Sequence, residues 1–165
     1  MNGAHLHLLL NHLPLLGTVF GLLLLLFSLW RKSAELQRVS LGVFVLTALS
    51  SVPAYLTGEP AEGVVEHLPG VAKAFIEAHE SAALVAFAVG IATGIVALAS
   101  LFLAWRSQQF PTWLTLATLF LALATGGLMA RAANLGGMIR HTEIRSGASP
   151  AAETEHEKQE HEKHD

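Results

Sequence analysis

Four long apolar runs, at about 6–30, 39–56, 81–105 and 113–138, decide what this chain can fold into. Each is close to the roughly 20 residues that cross a bilayer. Within lipid every backbone N–H and C=O must be satisfied inside the protein, which leaves helices and closed barrels as the only spanning structures. No strand-like alternation interrupts the runs, so the predicted fold is an all-α bundle of four transmembrane helices. Glycine and proline inside the runs do not argue against this, because neighbouring membrane helices satisfy the backbone groups they free. With 165 residues, 52% of them hydrophobic, and a mean hydropathy of +0.49, one membrane domain is expected.

Charge sets the expected orientation. The first basic residue is Arg31, beyond the first run, so that run reads as a permanent anchor and not as a cleaved signal peptide. Arg31, Lys32 and Arg38 fill the first connection and Arg106 the third, whereas the second carries Glu59, Glu62 and Glu66 before Lys73 and Glu77. By the positive-inside rule both termini and the 57–75 connection face outward, to the periplasm of a bacterium with this protein in its inner membrane. There is no cysteine, which excludes disulfides, cysteine-held iron–sulfur clusters and C-x-x-C-H haem attachment. P-loop, dinucleotide-binding and G-x-S-x-G signatures are missing too, and no nucleic-acid partner is expected. Whether the chain is an enzyme is left open.

The polar residues worth following lie at the outward ends. In 131–143 the last run leaves the membrane as Arg131-Ala-Ala-Asn134-Leu-Gly-Gly-Met138-Ile-Arg140-His141-Thr-Glu143. A charge in such a place is costly and usually functional. At 100° per residue Gly127, Arg131, Asn134, Gly137, Met138 and His141 share one side of a helix, and Arg140 projects elsewhere. The third run is headed by His79, with Ala83, Ala86, Gly90, Thr93 and Ala97 below it as a groove almost without side-chain bulk. Such a groove admits either a neighbouring helix or a flat cofactor. Near the start His5, His7 and His12 precede or enter the first run; His5 and His12 share a face and His7 points away. Pro14 leaves a carbonyl without its helical donor close by. Gly17/Gly21 and Gly90/Gly94 form G-x-x-x-G pairs that helix packing suffices to explain.

With the first and third helices running inward and the fourth outward, His12, His79 and His141 are expected at one edge of the bundle. Imidazoles from three helices, with Arg131 and Arg140 to pair with acidic groups and Asn134 and Met138 beside them, suit a b-type haem. The axial pair is expected to be His79 with His12 or His141. Direct metal-ion binding by His12, His79 and His141, with Glu80 and Glu143, is a second reading. A third is a non-catalytic subunit in which these groups only pair with each other, for example Arg131 with Glu77 or Glu80.

Between the second and third runs, 59–75 is too polar to span. Val64, Leu68, Val71 and Phe75 recur at helical intervals, predicting a short surface helix, interrupted near Pro69-Gly70, that lies as a lid over the bundle. His67 reads as solvated. After Arg145 the composition turns acidic and histidine-rich, with Glu-His-Glu-Lys at 155–158 and again at 160–163. The expected division is a membrane domain over 1–145 and a disordered tail over 146–165.

Asn11-His12-Leu13-Pro14, Glu77-Ala78-His79-Glu80 and the stretch from Asn134 through Gly136-Gly137 and Arg140-His141-Thr142-Glu143 to Ile144 resemble segments of a largely uncharacterised family of small bacterial four-span membrane proteins. More distantly they are similar to the four-span domains of unknown function sometimes fused to Rieske iron–sulfur domains. The likeness covers most of residues 5–145. It implies electron transfer of a quinol or cytochrome-like kind, with a quinone, a respiratory complex or another redox protein as partner.

Overall fold

The computed structural model describes residues 3–145, and the expected tail at 146–165 lies outside them. The elements are α1 (Gly3–Leu10), α2 (His12–Arg31), α3 (Ala34–Leu56), α4 (Gly58–Val65), α5 (Lys73–Ser107), α6 (Thr112–Arg140) and a one-turn 3-10 helix (Thr142–Ile144). No strand occurs among the described residues, and four helical runs are long and apolar enough to cross a membrane. The first run comprises α1 and α2. Their break falls at Asn11, where Pro14 has no N–H to offer the carbonyl of Leu10.

Two tight turns close one end of the bundle, called here the turn end. At the first, Lys32 takes a left-handed conformation (φ 51°) and Ser33 caps α3, its hydroxyl accepting from Leu36 N–H at 3.3 Å. At the second, Gln108 has φ 58° before Pro111 opens α6. Trp30, Trp105 and Trp113 are 67–74% exposed near this end, as an interfacial aromatic belt would be. The Arg38 guanidinium lies 5.8 Å from the Phe110 ring centre, joining the two turns. Both ends of the described chain lie at the opposite, open end.

The interior has two storeys. Leu25, Leu41, Phe44, Ala97 and Ala122 form an apolar cluster toward the turn end. Above it come Thr18, Thr47, Ser51, Thr93 and Thr125 around a cavity of about 10 Å³, room for about one water. Hydroxyls are affordable in this core because several bond to carbonyls of their own helix: Thr18 to Pro14, Ser51 to Ala48, Thr93 to Val89 and Thr125 to Leu121, at 2.7–2.8 Å. The Thr93 and Thr125 hydroxyls also lie 2.9 Å apart, so that one of them can turn its proton from its own helix to the other, linking α5 to α6.

Small residues bring the helices together, since in lipid the association rests on close packing and interhelical hydrogen bonds. A Cβ on Gly94 would collide with that of Ala48, and one on Gly17 with Thr47. Both G-x-x-x-G pairs are therefore packing devices. The groove below His79 is filled in the same way: Ala86, Gly90, Thr93 and Ala97 are buried, with Thr125 and Met129 of α6 against Gly90.

The 59–75 connection differs from its expected form. Its helix ends at Val65, Gly70 turns the chain at φ 77°, and Phe75 already belongs to α5. That helix, α4, packs on α1, with Pro60 against Gly3. Helix α5 begins at Lys73, eight residues before the expected span. No proline follows Pro69 to stop it, and its polar first turns project beyond the apolar stretch.

Candidate functional site at the open end

His79 sits two turns inside α5, and its Nδ1–H donates to the Ala132 carbonyl of α6 at 2.8 Å. A carbonyl can only accept, so this contact fixes the tautomer and leaves the Nε2 lone pair available. The approach depends on Gly136. A Cβ there would stand 3.0 Å from His79 Cε1 and 3.1 Å from Nδ1, so the glycine is the notch in which the imidazole rests.

His7 is held in the same manner, on the α3 side of the open end. Its Nδ1 lies 3.1 Å from the Ala54 carbonyl and 3.2 Å from Thr57 Oγ1. Ala54 is in the last turn of α3, where helical carbonyls lose their intrahelical donors, and His7 supplies one. The Thr57 hydroxyl donates to the Pro53 and Ala54 carbonyls, both at 2.9 Å, and so meets His7 as an acceptor. Again Nε2 is left with its lone pair. His7 on α1 and His79 on α5 thus stand at the same end of the bundle. One turn from His7, Asn11 Oδ1 is buried with no partner among the described residues.

Around this pair the end is tied together by Arg145. Its Nε donates to the Met138 carbonyl at 2.8 Å, and its Nη2 to the carbonyls of Ile139 and Gly70, both at 3.0 Å. The guanidinium also covers the Phe75 ring at 4.5 Å. It thus caps the C-terminus of α6, where a cation is favoured, and fastens the α4–α5 loop to it. The Glu62 carboxyl of α4 lies beside that of Glu80 on α5, and this neighbour raises it above its ordinary value.

The other sequence-derived candidates are dispersed. His12 is exposed, its Nδ1 3.3 Å from the Leu8 carbonyl of the preceding turn. His141 is exposed and donates from Nδ1 to Glu143 Oε1 at 2.8 Å. The Glu143 backbone N–H and this histidine hold the Glu143 carboxyl below its ordinary value. Met138 is half-buried and serves through its carbonyl. Arg140, Arg131 and Asn134 are exposed. The expected pairing of Arg131 with Glu77 or Glu80 does not form, because Glu77 lies 3.8 Å from Lys73 and Glu80 meets Glu62. Nor do His12, His79 and His141 form a metal-binding group; the described residues contain no cluster of three or more His, Asp or Glu able to hold an ion. The rotation of α6 explains both results: it turns Arg131 and Asn134 away from α5 and presents Ala132 and Gly136 to His79.

His7 and Arg145 are the residues that sequence reasoning passed over. Both bind backbone carbonyls, which leave no mark in a residue pattern; the one usable signal was that His7 faces away from its neighbours His5 and His12. In comparisons with known proteins, no family model, curated protein or solved structure gives a significant match to the chain.

Proposed function

We propose that this chain is a b-type cytochrome-like integral membrane subunit that passes electrons at its open, periplasmic end, with His7 and His79 as the imidazole pair. The observation that carries the reading is the anchoring of both rings. A histidine that ligates a metal usually donates its other N–H to a carbonyl or carboxylate, which orients the ring and raises the basicity of the ligating nitrogen. His79 does this on Ala132 and His7 on Ala54.

The donor set fits a haem, since imidazole is an ordinary axial ligand of haem iron. The groove below His79 does not, being filled by α6, so His7 and His79 at the mouth are the residues that would hold the group. Bound there, it would supply one-electron redox chemistry. The protein's own part is to fix two Nε2 atoms and to keep the mouth closed through Arg145 and the Glu62–Glu80 contact. The resemblance to Rieske-associated membrane domains supports a quinone or a redox protein as the exchange partner.

A second reading, a non-catalytic subunit of a larger membrane complex, is favoured by the filled groove: the same imidazoles then act only as latches between helices. An optical spectrum of the detergent-purified protein separates the two. The redox reading expects haem absorption and a reduced-minus-oxidised difference band that His7→Ala and His79→Ala each abolish and His12→Ala retains. A colourless protein that stays folded and copurifies with a larger assembly would reject it.

A further inference from the structure

One face of α6 offers hydrogen-bond donors that nothing among the described residues takes up. Arg131 and Asn134 are exposed and have no hydrogen-bond or ion-pair partner among the described residues. Three residues apart, they stand one above the other on the same side of the helix. Of the acids at this end, Glu66 lies beside His67, Glu77 beside Lys73, Glu143 beside His141 and Glu62 beside Glu80, and none of them, nor Glu59 of α4, pairs with Arg131.

Their depth identifies the surroundings. Eighteen residues of continuous helix separate Arg131 from the exposed Trp113 at the turn end, about 27 Å at 1.5 Å per residue. The hydrocarbon core is about 30 Å thick, so with Trp113 at one interface Arg131 and Asn134 reach the headgroup layer of the other. Below them the same face is low. Ala124, Gly127 and Ala130 are exposed, a Cβ on Gly127 would meet nothing within 4 Å, and the exposed Leu123 stands at the edge of this strip. Phe120, 69% exposed, ends this shallow strip.

We propose that this face binds one net-anionic phospholipid of the leaflet at the open end, its phosphate on Arg131 and Asn134 and an acyl chain along Ala124, Gly127 and Ala130. The guanidinium brings five N–H donors and a charge, and the amide adds two more, a set matched to phosphate oxygens. A zwitterionic headgroup would bring its own cation to the guanidinium, which repels it. A second copy of the chain fits less well, because a two-fold contact across this face sets one Arg131 near the other.

The test is native mass spectrometry of the full chain in detergent, titrated with palmitoyl-oleoyl phosphatidylglycerol or with the matching phosphatidylcholine. The wild type is expected to retain one phosphatidylglycerol in preference to phosphatidylcholine. Arg131→Ala should weaken that binding about tenfold, and Asn134→Ala less, in keeping with the loss of charged hydrogen bonds. Arg140→Ala, at another exposed arginine of the same helix, should leave it unchanged. Because both side chains are exposed, the variants are expected to fold, which their unchanged circular dichroism would verify. The proposal is overturned if the two lipids bind alike, if Arg131→Ala retains phosphatidylglycerol as the wild type does, or if Arg131→Ala instead converts a dimer to a monomer with lipid retention unaltered.

Discussion

The two faces of α6 above its midpoint meet opposite surroundings. On one, Thr125, Met129, Ala132 and Gly136 press against α2 and α5, bonded to Thr93 and His79 and touching Thr18. On the other, Ala124, Gly127, Arg131 and Asn134 face whatever surrounds the bundle. Both faces contain glycine, small residues and polar groups, so composition does not tell them apart. What separates them is the kind of partner. The inner face spends its polarity on backbone carbonyls and hydroxyls, whereas the outer face holds its charge at headgroup depth, where no protein group is needed.

The contrast is broken most severely by emptying the inner face. Met129→Ala removes a buried side chain that touches Thr18 and Gly90 and should cost about 2–5 kcal/mol. Leu123→Ala, on the face that is 52% exposed at that residue, should stay within about 0.5 kcal/mol. Reversible unfolding in mixed micelles would show both, and equal losses would mean that α6 is rotated from the position described.

The paired glycines sharpen it. Gly136→Val pushes side-chain atoms into the His79 ring and should cost about 1–3 kcal/mol together with the Nδ1 hydrogen bond to Ala132. Gly127→Val should be near neutral for stability. Nitrogen chemical shifts of the His79 ring would report the lost bond directly.

The smallest effect lies where the two faces end. The Glu143 carboxyl is held below its ordinary value, so its contribution to the terminal turn is present above that value and is lost as pH falls through the depressed one. A carboxyl titration by NMR should place Glu143 on the acid side of a model glutamate, and His141→Ala should move it back toward the model. An ordinary value in the wild type would mean that His141 and Glu143 do not pair.

Much of this architecture is legible in the residues themselves. Run length marks four spans, basic residues mark the turn end, and Pro14 marks the break between α1 and α2. The groove under His79 is visible too, although small residues do not say whether a helix or a ligand fills it; the fit of Met129 and Thr125 on Gly90 decides for the helix. The phase of α6 was harder to read. A helical wheel groups Arg131 with Asn134 correctly, yet it does not say which way the group points, and at the headgroup level an outward arginine carries no penalty. His7 stayed hidden because the Ala54 carbonyl, 47 residues away, belongs to the backbone and has no identity in the sequence.

Arg145 bears on the order of assembly. The clasp on Gly70, Met138 and Ile139 is made by the last of the described residues, yet it secures a loop made before the third span. During synthesis that loop therefore waits, unfastened, while two further helices are inserted. The tie between the α4–α5 loop and the end of α6, beside His7 and His79, is therefore completed only once the fourth helix has crossed.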